Sequence, residues 1–260
     1  MRPTKDDKPF LSVVIPARNE EKNVGRTCRA IEKEFETAGI ADYEIIVVND
    51  HSSDGTLDVL RELSRSGNRF RFVDNDGSPG FGMAIQRGLE AFRGEAVCVM
   101  MADLSDSASD LLCYYRELKA GAECVFGSRF IKGAKVVDYP PHKLVLNRLA
   151  NRFIKLIFRI DHNDITNAFK AYHREVIAGI GPLLSHHFNL TVEMPLKAIV
   201  RGYSYKTVPV SWTNREEGTS KLKIKEMGSR YLFIILYAWL EKTLSRGDYR
   251  RPAQGVERRK

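Results

Sequence analysis

The chain has little of what marks the simpler protein classes. Its 4 cysteines, Cys28, Cys98, Cys113 and Cys124, are widely spaced and form no Cys-x-x-Cys pair. That pattern argues against a disulfide-stapled scaffold and against a thiolate metal centre. Cys98 and Cys124 lie in apolar strand patterns, where buried, reduced thiols belong, so a reducing compartment is expected. Long hydrophobic runs are also missing. The longest, Tyr231 to Leu240, has ten residues, against the roughly 20 that span a bilayer. Met1 to Pro9 is polar and charged, unlike a signal peptide. Internal repeats and low-complexity segments are absent.

What is present is an ordinary globular composition, 43% apolar and 28% charged, sufficient for a real core. The net charge of +8 suits an anionic partner such as nucleic acid, anionic lipid or a phosphorylated substrate. At 260 residues the chain is one large domain or a domain with an appendage.

Apolar runs that stop at polar or turn residues alternate with helical patterns. Strands are expected at Leu11 to Pro16, Tyr43 to Asp50, Phe70 to Val73, Val97 onward and Cys124 to Ser128. Between them fall helices at about Glu20 to Ala38, Thr56 to Ser66, Gly82 to Arg93 and Asp110 to Ala120. This alternation predicts an α/β fold with a mostly parallel sheet covered on both faces. After Arg129 the rhythm changes. A Gly/Pro-bearing loop from Lys132 to Pro141 leads to a basic helix at about His142 to Phe158. A loop and strand at Asp164 to Tyr172, a helix around Glu193 and a strand-like stretch at Tyr205 to Trp212 follow. Arg215 to Lys225 reads as a loop, Ile224 to Ser245 as a final helix, and the tail from Arg246 as disordered. No linker divides the chain. The expected units are a flexible segment 1–9, a main domain 10–222, a C-terminal helix 223–245 and a basic tail 246–260.

The chemistry concentrates at strand ends. Val97 to Met101 is a buried-strand pattern that delivers Asp103 and Asp106 to a sheet edge, where hard oxygen ligands suit Mg²⁺ or Mn²⁺ on a diphosphate. The same residues also read as a strand followed by a cap, with Ser105, Asp106, Ser107 or Ser109 capping a helix from Asp110. Two further strands end in polar groups, Pro16-Ala17-Arg18-Asn19-Glu20 and Asn49-Asp50, on the edge that parallel strands share. Three converging ends make a site. Gly77 to Gly82 precedes a helix and reads either as an anion cradle or as a plain turn. It is neither a dinucleotide fingerprint nor a Walker loop.

Six segments, in order over Leu11 to Leu222, resemble an inverting family 2 glycosyltransferase, and within it the dolichyl- or polyprenyl-phosphate mannosyltransferase branch. They are Pro16-Ala17-Arg18-Asn19-Glu20, Asn49-Asp50-His51-Ser52-Ser53-Asp54-Gly55-Thr56, Gly80-Phe81-Gly82-Met83-Ala84 with Gly88, Gly127-Ser128-Arg129-Phe130, Asp164 to Tyr172, and Arg215 to Leu222. The resemblance implies a GT-A-type nucleotide-sugar-binding fold. It implies a donor site of Pro16, Ala17, Asn19, Glu20, Asp50, Gly82, Ala102, Asp103 and Ser105. The acceptor phosphate would meet Arg129, Lys143, Arg215 and Lys221, with Asp103, Arg129 and Arg215 the groups carrying catalysis. The implied cofactor is Mg²⁺ or Mn²⁺, the donor a nucleotide sugar with GDP-mannose favoured, and the acceptor a polyprenyl or dolichyl phosphate.

Two departures stand out. The family's Asp-Ala-Asp becomes Met101-Ala102-Asp103 here, so the expected metal ligands are Asp103 with Asp106 as substitute. Lys143 stands where the resemblance leads one to expect arginine, and lysine lacks the bidentate fork. The implied chemistry is coherent without a general base, because a phosphate monoester is already anionic. Adjacent His186 and His187 are poor candidates for one. Glucose, an N-acetylhexosamine, a non-lipid acceptor or a degenerate, non-catalytic scaffold are the alternatives. A nucleic-acid partner is not expected, since the acidic strand ends oppose it.

A lipid acceptor requires membrane contact. Tyr231 to Leu240 is apolar on all sides and bordered by Lys221, Lys223, Lys225, Arg230, Lys242 and Arg246, which suits an anionic interface. A buried core helix is the competing reading, and a hydrophobic membrane partner subunit is another occupant. The tail residues Arg250, Arg251, Arg258, Arg259 and Lys260 suit electrostatic anchoring. The expectation is peripheral association with the cytoplasmic face of a membrane.

Overall fold

A computed structural model describes residues 8–67, 69–214 and 224–251. In chain order the first half runs β1 (Leu11–Ala17), α1 (Val24–Thr37), β2 (Tyr43–Asn49), α2 (Thr56–Ser66), β3 (Phe70–Asp74), α3 (Phe81–Ala91), β4 (Ala96–Val99), α4 (Asp110–Lys119) and β5 (Cys124–Ser128). The second half runs β6 (Lys135–Val137), α5 (Pro141–Phe158), β7 (Lys170–His173), α6 (Arg174–Ile180), α7 (Leu190–Val200), β8 (Tyr205–Pro209), β9 (Ser211–Thr213) and α8 (Ile224–Leu244).

Seven strands form one sheet in the order β3-β2-β1-β4-β7-β5-β8. All neighbours are parallel except β7, which runs antiparallel between β4 and β5. The strands read as unbroken apolar runs because both faces are covered. Val13 and Ile15 of β1, Ile45 and Val47 of β2 and Cys98 of β4 enter one core with α1 and α4. Val14, Ile46, Val48, Val97 and Val99 enter the other, under α3, α6 and α7. A third cluster joins α5, α7 and α8 through Ile154, Phe158, Val192, Leu196, Ile234 and Ile235.

The helix read as apolar on all sides is therefore two-faced. Ile234, Ile235 and Ala238 of α8 are buried, whereas Leu232, Phe233, Leu236 and Leu240 are exposed. Its Glu241 is buried in a bidentate pair with Arg201, at 2.8 and 3.1 Å. Among the described residues no helix is long and apolar enough to cross a membrane. The tail is ordered farther than expected, through Arg251, whose amide donates to the Arg201 carbonyl and whose guanidinium pairs with Glu123. Arg251 is thus held by protein. Arg258, Arg259 and Lys260 lie outside the described residues.

The topology decides where the chemistry can sit. The carboxyl ends of β1, β2, β4, β5 and β8 share one edge. Because β7 is antiparallel, its first residue, Lys170, lies at that edge too, in register with Val99 and Phe126. The segment entering β7, Asp164 to Phe169, is thereby delivered to the acidic strand ends.

Candidate active site

A cavity of about 560 Å³ opens along this edge. From the strand ends it is lined by Pro16, Ala17, Glu20, Asp50, Asp103, Ser105, Asp106 and Arg129. The structure thus brings together eight residues expected on the basis of sequence.

Each acidic group is fixed by its own turn. Asp50 is buried at the end of β2, where its carboxylate accepts the Gly80 amide at 3.0 Å and the Asn75 side-chain amide at 2.8 Å. It anchors the glycine-bearing loop to the sheet. Past β4, Leu104 adopts a left-handed φ of 60°. That sharp turn points the Ser105 amide back onto Asp103 Oδ1 at 3.1 Å. Asp106 Oδ2 accepts the Met101 amide at 3.1 Å. Its carboxylate therefore lies against the backbone of the residue that replaces the expected aspartate. Burial first, with the charge of Asp103 beside it, pushes the Asp106 carboxyl up to about 7.

Among the described residues no group of three or more metal-type side chains occurs. Asp103 and Asp106 are nevertheless the right donors: two buried carboxylates with hard oxygens at the cavity wall. Mg²⁺ is commonly held by one or two carboxylates plus substrate phosphates and water, so the pair fits such an ion.

Arg129, just past the end of β5, lines the same cavity as the carboxylates. Its amide and Nε donate to Asp164 Oδ2 at 3.0 and 2.8 Å, and its Nη2 donates to Oδ1 at 2.8 Å. Burial alone would raise the fully buried Asp164 carboxyl, but the guanidinium holds it below its ordinary value. Phe130, Tyr139 and Trp212 stand 5.4, 5.5 and 5.9 Å from the guanidinium carbon. Arg129 is thus a cation gripped by Asp164 and walled by aromatic rings where it lines the cavity.

The short ribbon of β6 and β9 connects the two halves of the site. Thr213 donates its amide to the Ser105 carbonyl at 3.0 Å, Trp212 bridges Asp106, and Ser211 donates to Asp110 at 2.6 Å. Sequence reasoning missed Trp212, Tyr139 and the role of Asp164. Single aromatics in short strands and loops carry no periodic signal, and the Arg129–Asp164 pair spans 35 residues.

Other expected residues lie off the cavity wall. Asn19 accepts the Ser53 amide at 2.8 Å and holds that loop. Ala102 is buried, its carbonyl taking the Thr27 hydroxyl at 2.8 Å. Lys143 sits in the first turn of α5, half-buried and off the cavity lining. Arg215 and Lys221 lie outside the described residues. Gly82 serves packing: its amide donates to the His186 carbonyl at 3.0 Å, and a Cβ there would meet the Ser185 carbonyl oxygen at 2.3 Å. The loop is therefore a helix start, with the Gly80, Gly82 and Met83 amides committed within the protein. Gly82→Ala is expected to lower stability by about 2 kcal/mol through this overlap, as read from chemical denaturation.

His162 lies beneath Arg129's partner loop. Its Nδ1 is 3.0 Å from the Thr207 hydroxyl, and its buried Nε2 has no partner. Burial first, then the charge of Lys170, pushes its pKa down from 6.5 to about 4. The neutral ring is native, so its contribution is intact above pH 6.5 and lost as pH falls toward 4. The loss should reach roughly 3 kcal/mol. Unfolding free energies at pH 7 and pH 4.5 should show this drop in the natural chain and a smaller one in His162→Gln.

Residues 12–181 match the model for "Glycosyl transferase family 2". The chain belongs to that family. It is 32% identical over 220 residues to polyprenol monophosphomannose synthase of Mycolicibacterium smegmatis, covering 81% of this chain and 80% of that one. Glycosyltransferase AglD of Haloferax volcanii is 29% identical over 241 residues, 90% of this chain but only 38% of that longer protein. Among solved structures, glucosyl-3-phosphoglycerate synthase from Mycobacterium tuberculosis with Mn²⁺, uridine diphosphate and phosphoglyceric acid superposes with a TM-score of 0.68. The match has 18% identity and covers 89% of this chain and 78% of that one. A second structure of that enzyme, with Mg²⁺ and uridine diphosphate, also gives 0.68 at 17% identity, over 88% and 79%. At such identity the likeness establishes the fold, which is GT-A. This family 2 protein is a glycosyltransferase, and its mostly parallel sheet carries the site at the expected edge.

Proposed function

We propose that the enzyme transfers a hexose, with mannose favoured, from a nucleotide sugar to a polyprenyl or dolichyl phosphate, inverting the anomeric centre. One observation carries the reading. Every acidic side chain on the described cavity wall comes from the ends of β1, β2 and β4, and the same cavity is lined by an aromatically enclosed Arg129 from the end of β5. A hydroxyl acceptor normally needs a carboxylate base beside it. A phosphate monoester needs a cation instead.

In this reading Pro16, Ala17, Glu20 and Asp50 hold the nucleoside, and Asp103 with Asp106 would hold Mg²⁺ or Mn²⁺. That ion, when bound, supplies positive charge to the leaving diphosphate. Arg129 orients the acceptor phosphate, fixed by Asp164 so that little reorganisation is needed. Arg215, Lys143 and Lys221 are proposed to join it. The 32% identical polyprenol monophosphomannose synthase supports the acceptor class and favours GDP-mannose. A bilayer-held acceptor calls for peripheral attachment, to which the exposed apolar side chains of α8 are suited. All four cysteines are free thiols, which suits a reducing compartment such as the cytoplasmic face.

The test is direct. The protein is incubated with Mn²⁺ or Mg²⁺, polyprenyl phosphate and a panel of labelled nucleotide sugars. Label should enter the organic phase with GDP-mannose. Transfer from a different donor would correct the sugar, and no transfer from any donor would favour a non-catalytic scaffold.

A further inference from the structure

Helix α5 reads from sequence as basic, but its surface is organised in three rows. Asn147, Asn151, Ile154 and Phe158 face inward, the asparagines onto Thr166 and the apolar pair into the cluster shared with α8. On the far side Val145, Leu146, Leu149, Phe153 and Leu156 form a helical stripe in solvent, Leu156 being 76% exposed. Beside it runs a third row, Arg148, Arg152, Lys155 and Arg159, at spacings of four, three and four residues. All four are exposed, and among the described residues none pairs with a carboxylate. From Tyr139 to Ile160 the sequence contains no aspartate or glutamate.

Helix α8 packs beside α5 and exposes Leu232, Phe233, Leu236, Trp239, Leu240 and Leu244. These two helices hold 11 of the 15 large hydrophobic side chains exposed in the described structure. Contiguous apolar exposure on that scale marks an interaction surface. Its position is informative. Asn147 of α5 and Arg230 and Tyr231 of α8 line the cavity, so both helices border it.

We propose that α5 and α8 together form one docking face for an anionic lipid bilayer, with α5 reading the negative headgroups. The composition selects the occupant. An apolar stripe beside an acid-free row of arginines and lysine matches acyl chains beneath anionic headgroups. The inference rests on the acceptor being bilayer-held, since this face would then present the cavity mouth to the lipid phosphate.

The experiment is co-sedimentation with vesicles of phosphatidylcholine alone or mixed with phosphatidylglycerol. The natural chain should sediment with the mixed vesicles and lose them as salt rises. The double variant Leu149→Glu, Phe153→Glu should remain in the supernatant with both. Arg148→Gln with Arg152→Gln should bind mixed vesicles about thirtyfold more weakly, two headgroup-facing charges having been removed. Both variants should still glycosylate a short, water-soluble isoprenyl phosphate, which shows that they fold. The proposal falls if the natural chain ignores both vesicle types, or if Leu149→Glu, Phe153→Glu sediments like it. It also falls if the natural chain is a dimer that this variant dissociates, since the face would then belong to a second copy. Vesicle binding without transfer to any isoprenyl phosphate would leave docking standing and overturn the acceptor assignment instead.

Discussion

Asp103→Asn is expected to lower turnover about a thousandfold, the several kcal/mol that metal-borne charge gives a leaving diphosphate. Asparagine keeps the shape of the side chain and can still accept the Ser105 amide, so the turn at Leu104 should survive. What disappears is a buried negative charge on the cavity wall. Removing it also relieves Asp106, whose carboxyl is raised by burial and then by Asp103. Asp106 should therefore ionise at lower pH in the variant without restoring activity. Steady-state rates across a Mg²⁺ or Mn²⁺ titration decide the matter. Undiminished metal-dependent turnover would remove Asp103 from the site. Asp106→Asn should do less damage, about tenfold to a hundredfold, because one carboxylate plus phosphates can still hold the ion.

Arg129→Lys is expected to reduce kcat/KM for the lipid phosphate about a hundredfold while nucleotide binding is unchanged. Lysine preserves a positive charge beside Asp164 and avoids the penalty of several kcal/mol for an unpaired buried carboxylate. It lacks the planar fork that bonds both Asp164 oxygens while the guanidinium lines the cavity. Asp164→Asn should act through the arginine. Combined with Arg129→Lys it should add little to the loss, whereas independent roles would multiply. Isothermal titration with nucleotide separates this acceptor defect from damage to the donor side. Equal loss of donor binding would mean that Arg129 merely holds the edge together.

The acidic part of the cavity was legible because parallel strands place their ends together by rule, and each acidic end follows an unbroken apolar run. The cationic part was legible only through Arg129. Its setting depends on β7 entering the sheet antiparallel, which four residues, Lys170 to His173, do not announce. The ribbon that connects Trp212 to Asp106 is built from two three-residue strands, one of them in an expected loop. Helix α5 looked merely basic because its apolar stripe and its buried face average out along the sequence. Helix α8 looked uniformly apolar because nothing local tells Ile234 and Ile235 from Leu232 and Leu236. The packing surfaces of α7 and α5 separate them.

The proposed acceptor is a phosphate monoester met by Arg129 in the cavity that also holds the nucleotide sugar. This is tested most directly by offering one labelled donor to the same polyprenol with and without its phosphate. Transfer is expected to the polyprenyl phosphate alone, giving a product that mild acid hydrolyses to free sugar and lipid phosphate. Comparable transfer to the free alcohol would contradict this, because the cavity would then be supplying a general base to the hydroxyl.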